Sequence, residues 1–410
     1  MRVAPRARTV AIVTVAIAIL SSGATPAAAD NIRDRQYWLA DYGITEAWKS
    51  NLGEGVTIAV IDTGVDGTHP DLRGAVTGGT DFSGAGSADG QTPVGEGSSH
   101  GTMVAALAAG RGRGSSGVRG VAPAASILAV SVGFDSGTSS DDQIARAVTW
   151  AVDNGADVIN MSLTRNTLDW PESWDNAFLY AAERDVVVVA AAGNRGSGTT
   201  QVGAPATMPG VLTVAGLDRD GAASSTSSAQ GITIGVAAPA EQLVGAVPGG
   251  QYVLWNGTSG ATPIVAGVAA LVRAEHPELD AANVINRIVS TANDAGVAGN
   301  DPTYGFGTLD AAAAVSAQVQ PVSANPMGDL ADWVRVNRSS GGPAGVSTAV
   351  PLPGDPDSTS SPDREKSRPI SVMQWRSLVI PLMVFGGFAL VGALVVAVLR
   401  VHFKRARPRG

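Results

Sequence analysis

Short apolar runs rich in β-branched residues alternate with helix-like stretches along most of this chain. Five runs predict strands, at residues 56–61, 127–130, 158–159, 186–190 and 211–215. Predicted helices lie between and after them, at 101–109, 141–154, 173–184, 259–276 and 280–291. Continuously apolar strands joined through helices indicate an α/β fold, a doubly wound and mostly parallel sheet with helices on both faces.

Two further apolar runs lie at the ends of the chain. Residues 1–29 combine three early arginines, a short apolar stretch and three alanines before Asp30, which is the pattern of a cleaved signal peptide. An uncleaved membrane anchor is the alternative. Residues 378–399 form 22 uncharged positions, enough to cross a hydrocarbon layer of about 30 Å as one transmembrane helix. A buried helix of a soluble domain is the alternative there.

The distribution of charge predicts how the chain sits in a membrane. All 36 acidic residues lie between Asp30 and Ser377, whereas the tail at 400–410 is basic. A basic tail marks the cytoplasmic side, so we expect a single-pass protein of the cell membrane with an extracytoplasmic body and a cytoplasmic C-terminus. The acidic body makes nucleic acid an unsuitable partner.

Residues 318–377 are rich in Pro, Ser and Gly, and predict a tether between a body at 30–317 and the membrane.

Composition also excludes several kinds of chemistry. The chain has no cysteine, which rules out a cysteine nucleophile, a cysteine-ligated metal and any disulfide. No acidic loop has the spacing of a calcium-binding loop, so neither a metal nor a cofactor is expected.

Three short segments carry residues suited to nucleophilic catalysis. Asp62 directly follows the first predicted strand, His100 begins a predicted helix and Ser259 begins another. A serine hydroxyl becomes a good nucleophile when a histidine removes its proton, and a carboxylate orients that histidine. We therefore predict Ser259 as the nucleophile, His100 as the base and Asp62 as its partner, with Thr258 as the N-cap of the serine's helix. Asn194, just past the 186–190 strand, is predicted to donate its amide to the oxyanion.

Each of these roles has a competing interpretation. His69 lies near Asp62 in sequence and is the rival base, although the segment Thr68-His69-Pro70-Asp71 has the composition of a turn. Asn194 can be a turn residue before Gly196, and Ser259 a capping hydroxyl.

The three segments resemble those of the subtilisin-like serine proteases, in the same order of Asp, His and Ser. The sequence Ala191-Ala192-Gly193-Asn194 stands between the second and third, and the resemblance extends over residues 30–317. It implies a subtilisin-like fold, protein or peptide substrates, and a substrate-binding segment at Ser162 and Leu163. Where the family usually has two glycines after that segment, this chain has Thr164 and Arg165. We expect them to narrow or charge the pocket entrance.

The short aromatic lead before Asp62, the tether, the single span and the basic tail look like the mycosins. These are membrane subtilases of actinobacteria associated with type VII secretion systems, and they usually carry cysteines, which this chain lacks. The likeness implies a membrane-anchored serine endopeptidase whose partners are peptide substrates, the cytoplasmic membrane and components of a secretion complex. A degradative surface protease and a mainly structural subunit are the alternatives.

The short stretch between Asp30 and Asp62 leaves no room for a folded pro-domain, so we expect the lead to stand in its place. It carries Tyr37, Trp38 and Trp48, and an exposed aromatic cluster would be a liability, so we predict that it packs on the body as a permanent brace. The alternative is that it plugs the substrate cleft.

Overall fold

The computed structural model of this protein describes residues 32–134, 140–338 and 368–369. The predicted signal peptide at 1–29, the predicted transmembrane helix at 378–399 and the basic tail at 400–410 lie outside them. Within the described ranges, no helix has the length and apolar character needed to cross a membrane.

The strands of the described residues form one large sheet and two small ones. They are β1 (Thr57–Asp62), β2 (Val76–Asp81), β3 (Arg111–Arg113), β4 (Ser116–Arg119), β5 (Ser126–Ser131), β6 (Val158–Met161), β7 (Val187–Ala191), β8 (Leu212–Leu217), β9 (Ile234–Pro239), β10 (Leu243–Val247), β11 (Gln251–Trp255) and β12 (Arg368–Pro369). The large sheet has seven strands in the order β2-β5-β1-β6-β7-β8-β9. All its neighbouring strands run parallel, as predicted.

Helices cover both faces of the large sheet. They are α1 (Trp38–Asp41), α2 (Ile44–Ala47), α3 (His100–Ala109), α4 (Ser140–Asp153), α5 (Glu172–Glu183), α6 (Thr258–Glu275), α7 (Ala281–Ser290), α8 (Ala311–Ser316) and α9 (Leu330–Asn337). Side chains of α4 and α5 share one apolar core with a face of the sheet. Helices α3 and α6 pack on each other and on strands of the sheet. The predicted α/β architecture is therefore confirmed.

Helix α6 is buried along most of its length. Every residue from Thr258 to Val272 is buried, which requires an apolar surface all round and small residues where neighbours approach. Gly267 shows such an approach, because a Cβ there would lie 2.5 Å from the Cβ of Val121 and 3.1 Å from the carbonyl oxygen of Ala108. The lack of a side chain at Gly267 thus lets neighbouring residues pack closely against the buried helix.

The N-terminal lead packs on the body through apolar and polar contacts. Ile32, Trp38 and Ile44 are fully buried. The side-chain amide of Gln36 forms two hydrogen bonds of 2.8 Å with the backbone of Arg119. Its Nε2 donates to the Arg119 carbonyl oxygen, and its Oε1 accepts the Arg119 N–H. The lead therefore packs on the body, as predicted.

The chain remains structured beyond the predicted end of the body at residue 317. Residues 318–338 include α9, where Leu330 is only 5% exposed and packs in the core shared with α5. The Pro, Ser and Gly content that predicted a tether from 318 onward does not prevent this packing, because α9 itself carries Leu330, Trp333 and Val334 at helical spacing.

Candidate active site

Three adjacent strands place polar residues at one edge of the large sheet. Asp62 is the last residue of β1, Ser162 follows β6 and Asn194 comes three residues after β7. Strands β1, β6 and β7 are neighbours in the sheet, and the carboxyl ends of parallel strands meet at one edge.

Asp62 and His100 form a buried pair at this edge. The Nδ1 atom of His100, at the start of α3, lies 2.9 Å from each carboxylate oxygen of Asp62. The backbone N–H of Thr63 donates to Asp62 Oδ1 at 2.7 Å and holds the carboxylate in place. With Nδ1–H donating to Asp62, Nε2 is the nitrogen that can accept a proton.

The rival base, His69, is engaged elsewhere. Its side chain is fully buried, its Nδ1 accepts the backbone N–H of Asp71 at 3.1 Å, and its Nε2 lies 3.4 Å from the carbonyl oxygen of Gln251. Burial lowers the pKa of His69 below its usual 6.5, even though Asp71 opposes the shift. The structure thus pairs Asp62 with His100 rather than with His69.

Ser259 is the second residue of α6. The helix begins at Thr258 and its N-cap is Gly257, at φ +136°, so the prediction of Thr258 as N-cap was wrong by one position. Gly257 tolerates this backbone conformation because it has no Cβ. The Ser259 hydroxyl donates to the carbonyl oxygen of Ser162 at 3.2 Å. The backbone N–H of Ser259, in the first helical turn, has no carbonyl four residues before it within the helix.

A proline and a serine together position Ser259. Pro263 stands four residues after Ser259, where an α-helix would otherwise donate an N–H to the Ser259 carbonyl. The hydroxyl of Ser162 donates to that carbonyl instead, at 2.9 Å, and the side-chain amide of Asn160 donates to the same hydroxyl at 3.0 Å. Ser162 and Asn160 are buried, so both bonds are shielded from water.

The two ends of the Asn194 side chain have different environments. Its Oδ1 accepts the backbone N–H of Thr258 at 2.8 Å and the Thr258 hydroxyl at 3.0 Å. Its Nδ2 is buried and has no hydrogen-bond partner among the residues that the structure describes. A buried donor without an acceptor costs about 1–3 kcal/mol. Asn194 therefore holds an oriented and unsatisfied donor next to the start of α6.

The predicted substrate-binding segment is tightly packed. Ser162 and Leu163 are both buried, and the γ-methyl group of Thr164 would lie 3.2 Å from a Cβ at Gly193. Arg165 forms an ion pair with Asp141, and its guanidinium lies 5.7 Å from the ring centre of Trp174. Thr199 and Thr164 together leave little space beside Gly193, and the charge of Arg165 is paired with that of Asp141.

The sequence interpretation missed Trp255, Asn160 and the side-chain role of Thr258. The Trp255 ring packs edge-on against the His100 ring at 5.7 Å and is 3% exposed. A tryptophan four residues before the serine was the available signal, but only the hairpin of β10 and β11 shows what it contacts. No group of His, Asp or Glu that could bind a metal ion is found in the described ranges.

Residues 53–307 match the model of the Subtilase family. The chain belongs to this family. Subtilisin E of Bacillus subtilis (strain 168) is 41% identical over 294 residues, which cover 70% of this subtilase and 74% of the relative. Thermitase of Thermoactinomyces vulgaris is 37% identical over 281 residues, covering 68% and 96% of the two chains.

Solved mycosin structures are also similar to this subtilase. The crystal structure of MycP1 from the ESX-1 type VII secretion system has a TM-score of 0.63 and 32% identity, covering 74% of this subtilase and 91% of that chain. The structure of MycP3 protease from the ESX-3 type VII secretion system has a TM-score of 0.58 and 31% identity, with coverage of 72% and 90%. The subtilase is thus a subtilisin-like serine endopeptidase with mycosins among its structural relatives.

Proposed function

We propose that this subtilase cleaves peptide bonds through Asp62, His100 and Ser259, with Asn194 completing the oxyanion hole. The main support for the role of Asn194 is its buried Nδ2 atom, which has no hydrogen-bond partner in the described part of the chain. Thr258, next to Ser259, holds the other end of the same amide through two hydrogen bonds. Most buried polar groups in proteins have a hydrogen-bond partner. A developing oxyanion supplies the missing acceptor.

In this proposal each group has its own role in acyl transfer. The Ser259 hydroxyl attacks the carbonyl carbon of the substrate while Nε2 of His100 takes its proton. Asp62, bonded to Nδ1 at 2.9 Å, stabilises the imidazolium that forms. The Ser259 N–H and the Asn194 amide stabilise the oxyanion. His100 then returns the proton to the leaving amine, and water hydrolyses the acyl-enzyme by the same steps.

Hydrolysis of a peptide substrate tests the roles in this proposal. Ser259→Ala removes the nucleophile and is expected to lower the rate of hydrolysis to the small residual rate that the oxyanion hole and substrate binding supply without it. Ser50→Ala, a change at an exposed position of the lead, is the matched control and should leave the rate unchanged. Equal activity in Ser259→Ala and the control would contradict the proposal.

We further propose that the protein is anchored in the cytoplasmic membrane, faces outward and works as a mycosin-like component of a type VII secretion system. The fold similarity to MycP1 and MycP3, which belong to the ESX-1 and ESX-3 type VII secretion systems, supports this role. Gentle detergent extraction followed by purification of the intact chain should recover membrane proteins of a secretion complex. Recovery of the subtilase alone would favour a degradative surface protease.

A further inference from the structure

The segment after the family-matched region is fastened to the loop at residues 164–170. The rings of Trp170, at the end of this loop, and Trp333, in α9, lie 4.3 Å apart at 40°. Arg338 lies 5.3 Å from the Trp333 ring centre and donates its Nη2 to the Trp170 carbonyl oxygen at 3.0 Å. Asp175 of α5 joins these residues. We call Trp170, Asp175, Trp333 and Arg338 the C-terminal clamp.

A buried carboxylate holds the C-terminal clamp together. Asp175 is 5% exposed and accepts the indole N–H of Trp170 on one oxygen, at 2.6 Å. Its other oxygen accepts Nε of Arg338 at 2.9 Å. A buried charge needs a partner of opposite sign, and Arg338 supplies it. The carboxylate thereby joins Arg338, which directly follows α9, to Trp170, the last residue of the loop.

The other end of the loop lies against the candidate active site. Thr164 follows the Ser162-Leu163 segment, and its γ-methyl group would lie 3.2 Å from a Cβ at Gly193, the residue before Asn194, where the methyl group of Thr199 comes closer still at 2.5 Å. Between Thr164 and Trp170, hydrogen bonds join the loop to residues 199–207. They run from Arg165 N to Ala204 O (2.7 Å), from Ala204 N to Thr167 O (2.9 Å), from Thr199 Oγ1 to Asn166 Oδ1 (2.8 Å) and from Thr207 Oγ1 to Leu168 O (2.7 Å).

We propose that the C-terminal clamp positions the loop at 164–170 as one wall of the substrate cleft, so that Trp333 and Arg338 are positioning residues for peptide binding. Both lie beyond residue 307, where the family match ends. They act through the loop, and their effect falls on the binding of peptides that touch this wall rather than on bond cleavage. The inference rests on the proposed peptide hydrolysis.

Steady-state kinetics of the full-length chain in detergent micelles tests the C-terminal clamp. Arg338→Ala is expected to raise KM for an extended peptide amide about tenfold, because small displacements of positioning groups are costly, while kcat stays within about twofold. A small serine-directed phosphonate does not reach the wall, so its inactivation rate should also change by less than about twofold. Arg335→Ala is the matched control, since Arg335 lies on the same helix and pairs with the exposed Asp332.

A conservative variant covers the case in which Arg338→Ala does not fold. Arg338→Lys keeps a positive charge near Asp175 but loses the planar pair of donors, so KM should rise by less than in Arg338→Ala. A lower Tm with an unchanged KM, in either variant, would show that the C-terminal clamp only stabilises the fold. That result would overturn the inference. Failure of the phosphonate to react with the wild-type chain would instead overturn the proposed peptide hydrolysis.

Discussion

At the residue scale, the site is defined by what each polar atom is bonded to. The Oδ1 of Asn194 is held by Thr258, and its Nδ2 is left buried without an acceptor in the described part of the chain. The carbonyl oxygen of Ser259 has no helical donor, because Pro263 lacks an N–H, and it accepts a hydrogen bond from the Ser162 hydroxyl instead. Both arrangements fix donors and acceptors before any substrate arrives, and such preorganisation is the source of electrostatic catalysis.

Replacing Asn194 with alanine removes one oxyanion donor. We expect Asn194→Ala to lower kcat roughly a hundredfold or more with little change in KM, because the oxyanion exists only around the transition state. Asn154→Ala is the control, since the Asn154 amide bonds only to the helix carbonyl of Trp150 in the described ranges. An unchanged kcat in Asn194→Ala would remove this residue from the site.

His69 predicts a pH dependence of stability. Its folded-state pKa is lowered by burial from the ordinary 6.5, so below that pH the unfolded chain binds a proton that the folded chain does not. The contribution of His69 to the free energy of unfolding therefore falls as the pH drops below 6.5 and levels off below its folded-state pKa.

Chemical denaturation between about pH 5 and pH 7 measures this effect. His69→Gln removes the titrating group, and its free energy of unfolding should vary less with pH than that of the wild type. Parallel curves for the two proteins would show that His69 does not titrate in this way.

At the scale of elements, long apolar runs and helical periodicity were predictable from the sequence, whereas edges and contacts were not. The predicted strands at 127–130 and 186–190 match β5 and β7 within about one residue. The two edge strands of the large sheet, β2 and β9, were not predicted. The β2 sequence Val-Thr-Gly-Gly-Thr-Asp has no apolar run, and in β9 a glycine and a proline weaken the strand pattern of Ile-Gly-Val-Ala-Ala-Pro. Helix α9 was not predicted because the sequence on either side of it has the composition of a linker.

The residues of the candidate site also divide into those that the sequence pattern predicts and those that only the three-dimensional contacts reveal. Asp62, His100, Ser259 and Asn194 could be chosen from sequence because each stands at a strand end or a helix start within a recognisable segment. Trp255 and Asn160 could not, because their importance arises from contacts with residues far away in sequence: Trp255 with His100, and Asn160 with the hydroxyl that holds Ser259.

Deleting part of the lead distinguishes a brace from a plug. Removal of residues 30–42 takes away Trp38 and Ile32, which are fully buried, so we expect Tm to fall by at least about 5 °C and activity not to rise. Trp38→Ala in the intact chain should produce a smaller loss of the same kind. A tenfold or greater rise in kcat/KM after the deletion, at unchanged Tm, would identify the lead as a plug.

At the scale of the whole molecule, the proposed topology places the body outside the membrane and the basic tail inside. All residues of the candidate site precede the tether, so the body should work without its anchor. Protease added to intact protoplasts is expected to cut within residues 350–368 and release a soluble, active fragment. Protection of the body until the membrane is breached would show the opposite orientation.

Mass spectrometry of the protein after reaction with a serine-directed phosphonate tests the central claim most directly. In the wild-type chain, we predict one covalent adduct, located on the peptide that contains Ser259. The adduct should be absent from Ser259→Ala, and its formation should be greatly slowed in His100→Ala, because the hydroxyl then has no base. An adduct that persists in Ser259→Ala, or one that maps to another serine in the wild type, would contradict the proposed active site.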